Sequence, residues 1–210
     1  AFRAFGSISS VGSILFMTAL YAGFLLTEVN NFNAKISKAL GGDATQALEI
    51  ISKVNNRIGV YLTIKTIINI ILASISFLIM WVMGIDSAVF WAVMIGFLNY
   101  IPYVGSAIGV GFPVGLALAQ FGSLQWAILA LVLLMAVQTY VGNILEPKMI
   151  GKSVNLSSFV VLLALVFWTT IWGLPGAILS IPLTSVLVIL LAENQSTKPF
   201  AAMFTSDGDL

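Results

Sequence analysis

The chain has 210 residues, of which 60% are hydrophobic and 8% charged, with a formal net charge of +1 and neither cysteine nor histidine. A soluble domain carries roughly 25% charged residues, so this is an integral membrane protein. Nothing in the charge calls for nucleic acid. The missing residue types remove disulfides, thiol chemistry, most transition-metal sites and the usual general base, so neither an enzyme nor a cofactor is expected.

The chain opens on Ala1-Phe2-Arg3, without the basic start and cleavage site of a signal peptide, and an incomplete chain is expected. A bilayer core of about 30 Å takes about 20 apolar residues per helix. Ile8–Thr27 fits. Glu28–Gly59 is polar but periodic: Ala47, Ile50, Ile51, Val54 and Ile58 share one face, with Glu49, Lys53 and Arg57 on the other. With an earlier helix near Asn33–Leu40 and a Gly41-Gly42-Asp43 turn, it reads as a cytoplasmic amphipathic hairpin. Val60–Met83 is a second span.

Two short segments follow, Ala88–Ile101 and Val104–Ala119, split by Asn99-Tyr-Ile-Pro102. Leu124–Val141 is a full span and Asn143–Ser157 a polar loop. Phe159–Trp172 and Ala177–Ala192 are again short and split by Gly173-Leu-Pro175-Gly176; a polar, mobile cytoplasmic tail is expected over residues 193–210. The expected fold is all-α, with about seven hydrophobic helical segments in one transmembrane domain.

Lys35, Lys38, Lys53 and Arg57 mark the amphipathic hairpin as cytoplasmic, and Lys148, Lys152 and Lys198 mark the later inner loops. On that scheme the pair Ala88–Ala119 starts and ends outside, and the pair Phe159–Ala192 starts and ends inside. These are two broken or re-entrant hairpins of opposite orientation, the arrangement in which inverted repeats place a shared mid-membrane site. The alternative is that each half is a thin full span with a tight turn.

The ordered set Asn99-Tyr-Ile-Pro102-Tyr-Val-Gly105, Gly142-Asn143-Ile-Leu-Glu146-Pro147-Lys-Met-Ile-Gly151-Lys152, Gly173-Leu-Pro-Gly176 and Ile181-Pro182-Leu183 resembles the autoinducer-2 exporter family of bacterial membrane permeases, over about Val60 to Ala192. The resemblance implies export of small molecules across the bacterial cytoplasmic (inner) membrane, with the autoinducer-2 quorum signal as namesake substrate. Some members are described as sodium/proton antiporters. Many carry Pro where this chain has Ser106 and Gln where it has Glu146. The resemblance also implies an N-terminal pair of spans and a connecting domain, which this chain is expected to lack.

The candidate substrate or pathway residues are Asn99, Pro102, Gly105, Ser106, Asn143, Gly173, Gly176 and Pro182. The amides of Asn99 and Asn143 offer a donor and an acceptor to a neutral polyol or ketone, or cap broken helix ends. Gly105/Gly109 and Gly111/Gly115 pack helices closely or bare the backbone to substrate. The candidate gate or coupling residues are Lys65, Glu146 and Lys148. Lys65 is an intramembrane charge or a snorkelling lysine. Pro147 biases Glu146 away from helix, leaving Glu146 and Lys148 as a surface pair, a gate or a proton site. Asp86 reads as a solvated turn residue.

Three functions compete: an exporter of a small polar organic molecule, a sodium/proton antiporter, and a non-transporting membrane scaffold. The scarcity of buried charge favours the first. The expected partners are the small-molecule substrate, membrane lipid and further copies of the chain in a homo-oligomer.

Overall fold

The computed structural model describes residues 16–28, 32, 35–39, 44–150, 155–206 and 208. The Gly41-Gly42-Asp43 turn, the beginning of the first span and residues 151–154 of the expected loop lie outside the described residues. The chain divides into two compact units, Ala1–Lys53 and Val54–Leu210. Among the described residues every regular element is helical.

The first unit contains the apolar helix α1 (Phe16–Glu28) and a short helical stretch at 35–39. Glu28 at the end of α1 forms an ion pair with Lys35. It also contains the start of α2 (Ala44–Met83), a 40-residue helix that runs about 60 Å at 1.5 Å per residue. The second arm of the expected hairpin therefore joins the following span without a break. It carries neither Gly nor Pro until Gly59, where the helix simply continues, because one interior glycine weakens a helix by only about 0.5–1 kcal/mol.

The second unit holds the rest of α2 and the helices α3 (Ala88–Leu98), α4 (Val104–Phe121), α5 (Leu124–Ile150), α6 (Ser158–Trp172), α7 (Leu174–Glu193) and α8 (Lys198–Phe204). Four helices, α2, α4, α5 and α7, are long and apolar enough to cross a membrane by length and composition. With the shorter apolar helices α1, α3 and α6, they are the seven hydrophobic segments expected from the sequence. One core joins the inner face of α2 (Tyr61, Ile68, Leu72, Met80) to Ala92 and Ile95 of α3, Val110 and Ala117 of α4, and Ala130, Leu134 and Val141 of α5. Small residues set the spacing. A Cβ on Gly96 would meet the Asn69 carbonyl oxygen at 3.0 Å and the Ala73 Cβ at 3.1 Å.

Each apolar pair is a hairpin of a shorter helix followed by a longer one. The α2–α3 turn at the open end of the first pair is held by Gln120 of α4. Its Nε2 donates to the Gly84 carbonyl at 2.8 Å, and its Oε1 accepts from the Asp86 N–H at 2.9 Å. Asp86 itself is exposed, as its position in a turn predicts.

Two segments differ from the sequence expectation. The polar stretch after Val141 is helix rather than loop as far as Ile150: residues Val141–Leu145 form a π turn, and Glu146–Ile150 continues as α-helix. Proline in a helix collides with the carbonyl four residues back. Here the Glu146 N–H reaches Val141, five residues back, and the widened turn accommodates Pro147. Glu146 accordingly keeps helical angles (φ −60°, ψ −50°) despite the proline that follows it. The second difference is the tail. In place of an unstructured segment after Glu193 there is a turn and then α8, with Ala201 fully buried. The Thr197 hydroxyl donates to the Leu191 carbonyl at 2.7 Å, and the Ser157 N–H donates to the Phe204 carbonyl at 3.0 Å.

Candidate functional site

The site grows from one face of α2. Arg57, Tyr61, Lys65 and Asn69 stand four residues apart, so they stack along one side of the helix, about 18 Å from first to last at 1.5 Å per residue. Tyr61, Lys65 and Asn69 are all buried. Each of these polar groups needs a partner, because a buried polar group left unpaired is destabilising. Partners for Lys65 and Asn69 come from the second half of α5 and from the tip of the α3–α4 hairpin.

At the top of the stack, Asn99 Nδ2 donates to Asn69 Oδ1 at 2.8 Å, and Gln138 Nε2 donates to Asn99 Oδ1 at 3.3 Å. Three amides from α2, the end of α3 and α5 thus form one hydrogen-bonded row. Asn69 Nδ2 and Gln138 Oε1 are buried and have no partner among the described residues. The row therefore presents one free donor at one end and one free acceptor at the other. Reversing all three amides would reverse its direction and leave the same complement. Asn99 does not use its side chain to cap a helix. Its backbone N–H closes α3 onto Ile95, while the amide is given to the other two.

One turn below, the Thr66 hydroxyl donates to the Leu62 carbonyl at 2.7 Å and lies 2.6 Å from the Tyr100 hydroxyl. The single threonine proton is spent on Leu62, so Tyr100 is the donor in the second bond. Below that, Lys65 Nζ donates to Glu146 Oε1 at 2.6 Å, with side chains 6% and 24% exposed. Lys65 is thus paired inside the chain, and Glu146 meets a residue 81 positions away, while Lys148 is exposed. The π turn helps to explain the meeting, since the extra residue it inserts rotates the side chains that follow.

The hairpin tip is shaped to reach this face. Tyr103 has φ 60° and ψ −48°, and the Val104 N–H bonds the Pro102 carbonyl at 2.6 Å. This is the rare, strained kind of γ-turn. Just past it, a Cβ on Gly105 would lie 1.9 Å from the Leu98 carbonyl oxygen and 3.0 Å from the Asn99 nitrogen. Gly105 is thus a packing residue that lets α4 start against the end of α3. Ser106 is spent locally, donating to the Tyr103 carbonyl at 2.9 Å. Gly109 is buried against Ile95, whereas Gly111 and Gly115 face open space. Only the first of the two small-residue pairs packs helices within the chain.

The remaining candidates lie elsewhere. Asn143 is exposed on the π turn, and the structure does not bring it to the other amides. Gly173, at φ 64° and ψ −139°, makes the α6–α7 turn. Gly176 is pressed on the Trp168 carbonyl as Gly105 is on that of Leu98. Pro182 is buried inside α7. Asn69, Gln138, Thr66, Tyr100 and Tyr61 were missing from the sequence candidates. A signal did exist for α2: polar residues every four positions inside an apolar span define a buried polar stripe.

An all-helical bundle with apolar helices of membrane-spanning length, and an internal file of polar side chains, is a multi-pass membrane protein of the transporter kind. The chain belongs to the AI-2E family of transporters, whose model matches residues 1–195. Similar proteins include a Borreliella burgdorferi protein provisionally named a transport protein, 33% identical over 99% of this chain and 58% of its own length. Another is the Escherichia coli K12 AI-2 transport protein TqsA, 29% identical over 94% of this chain and 57% of its own. The chain thus spans little more than half the length of these relatives.

Proposed function

We propose that this chain exports a small, neutral, polar organic molecule across the bacterial cytoplasmic membrane, with the Asn69–Asn99–Gln138 row as its binding site. The observation that carries this reading is the row itself: three amides, two free hydrogen-bonding valences and no charge. Such a site matches the hydroxyl and carbonyl groups of an uncharged substrate. It offers no counter-ion to a charged one. The likeness to the AI-2 transport protein makes autoinducer-2 the first substrate to test.

In this reading the two hairpins are re-entrant and enter from opposite sides. The contact of Asn99 with Asn69 supports this for the first, because Asn69 lies nine residues into the apolar part of α2, about 13.5 Å from Val60. Single cysteines report it. Leu174→Cys, at the exposed tip of the second hairpin, should resist an impermeant thiol reagent added outside, and Asp86→Cys should react. Outside labelling of Leu174→Cys would show a spanning hairpin.

A second reading, sodium/proton exchange, is favoured by the Lys65–Glu146 pair, a titratable carboxylate held against an intramembrane cation. One vesicle assay separates the two. Asn99→Asp puts an ionisable group into the amide row, which either ionises unpaired or takes up a proton and loses the donor pattern. Neutral-substrate export should fall at least about tenfold, as for loss of one well-formed polar contact. Export by Asn99→Asp at the parent rate would remove the amide site. Loss of a pH-dependent sodium flux in Glu146→Gln would establish the exchange reading.

A further inference from the structure

Below the Lys65–Glu146 pair the polar stripe of α2 reaches a small cavity lined by Arg57, Ile58, Tyr61, Pro182, Ser185 and Ile189. It lies between α2 and α7. Tyr61 is 2% exposed and Ser185 9%. The Tyr61 hydroxyl and the Ser185 Oγ are both buried without a partner among the described residues. Two orphan hydroxyls lining one cavity call for a shared acceptor, since a buried polar group left unpaired is destabilising by about 1–3 kcal/mol. The space inside, about 10 Å³, holds one oxygen atom and no more.

The charges decide which oxygen. Glu146 acts electrostatically on Tyr61, but it is already neutralised by Lys65 at 2.6 Å. Arg57 is exposed at the mouth and is in no ion pair among the described residues. The surplus charge is therefore positive, with a planar set of donors suited to a phosphate. The other walls, Ile58, Pro182 and Ile189, are apolar.

We propose that this cavity is a phosphate oxyanion site. One phosphate oxygen enters between Tyr61 and Ser185, and the rest of the group stays outside the cavity against the Arg57 guanidinium, with any attached hydrocarbon chain left in the bilayer. The phosphodiester of an anionic lipid fits that description, and a soluble phosphate shares only its polar part. Such a ligand would clamp α7 to α2 immediately below the Lys65–Glu146 pair. The proposal does not depend on which molecule is transported.

The test uses the full chain in nanodiscs of phosphatidylcholine with and without phosphatidylglycerol, with retained lipid counted by native mass spectrometry. The parent chain should retain phosphatidylglycerol preferentially. Arg57→Gln should reduce that preference about tenfold, as for loss of a hydrogen bond to a charged group. Ser185→Ala and Tyr61→Phe should each weaken it. Melting supplies an independent reading. Phosphatidylglycerol should raise the melting temperature of the parent chain, and this rise should vanish in Arg57→Gln. If inorganic phosphate added in phosphatidylcholine gives the same Arg57-dependent rise, the oxyanion site stands with a soluble source. If Arg57→Gln retains phosphatidylglycerol as the parent does, the proposal fails. It also fails if Tyr61→Phe melts higher than the parent while retaining the same lipid, since its hydroxyl would then be a mere unsatisfied group.

Discussion

The two broken hairpins solve the same steric problem and then diverge. In each, the second helix begins so close to the first that one glycine is pressed on a backbone carbonyl: Gly105 on Leu98 and Gly176 on Trp168, with a built Cβ at 1.9 Å from the oxygen in both cases. The tips then differ. The first hairpin turns at Tyr103, a non-glycine held at φ 60°, and its polar groups reach outward, Asn99 to Asn69 and Gln138, Tyr100 to Thr66. The second turns at Gly173, where a positive φ is easy. Apart from Ser185, which lines the cavity against α2, the buried polar groups of this hairpin bond inward: Trp168 Nε1 to Thr184 at 3.0 Å, Thr184 to the Ser180 carbonyl, Ser180 to the Ala177 carbonyl. A strained backbone persists where its surroundings hold it, and such positions cluster at functional sites. The contrast points to the first hairpin as the one built around the site and the second as self-contained.

The largest expected effect tests what the hairpins share. Gly105→Ala and Gly176→Ala each drive a methyl into a carbonyl that belongs to backbone, so no side-chain rotation relieves the clash. The loss should exceed the roughly 1–3 kcal/mol usual for overpacking, and neither variant should yield monodisperse protein. Gly173→Ala meets open space but must hold φ 64° and ψ −139°, and should lose about 1–3 kcal/mol of backbone strain. Gly115→Ala, on an open helical face, should be neutral or slightly stabilising. Thermal unfolding of the four variants in detergent orders them. Near-parent stability in Gly176→Ala would show that the close approach is not shared by both hairpins.

Much of this arrangement was legible before any coordinates. The seven apolar segments follow from run length, and the two breaks from Pro and Gly inside apolar runs. The merging of the amphipathic helix with the span at Val60 follows from an uninterrupted helical period. What was hidden depends on tertiary contact. Pro147 reads as a breaker, and only the π turn before it, which has no strong sequence mark, keeps α5 going to Ile150. Lys65 and Glu146 were each singled out, but sequence gives no reason to join residues on different helices. Asn69 and Gln138 were passed over because a lone amide in a span is unremarkable by itself. Asn69 becomes visible only when Arg57, Tyr61, Lys65 and Asn69 are seen as one four-residue series. Asn143 shares residue type and a motif with Asn99, but side-chain direction is set by the helix that carries it, and Asn143 lies exposed on the π turn.

The smallest expected effect separates the hairpins most cleanly. Tyr100→Phe removes the donor to Thr66, and Trp168→Phe removes the donor to Thr184. Tyr100→Phe loses one hydrogen bond between neutral groups, about 0.5–1.5 kcal/mol, whereas Trp168→Phe also loses part of its ring contact with Phe167 and Trp172, so its melting temperature should drop further. Their consequences for transport should not be alike. The Tyr100 bond ties the tip of the first hairpin to α2 one turn below the amide row, whereas the Trp168 bond stays inside its own hairpin. Tyr100→Phe should therefore change the export rate by several-fold, and Trp168→Phe should leave it near the parent value once corrected for the amount of folded protein. Equal transport rates in the two variants, with both bonds lost, would mean that the first hairpin is no more central to the pathway than the second, and the asymmetry drawn here would have no functional content.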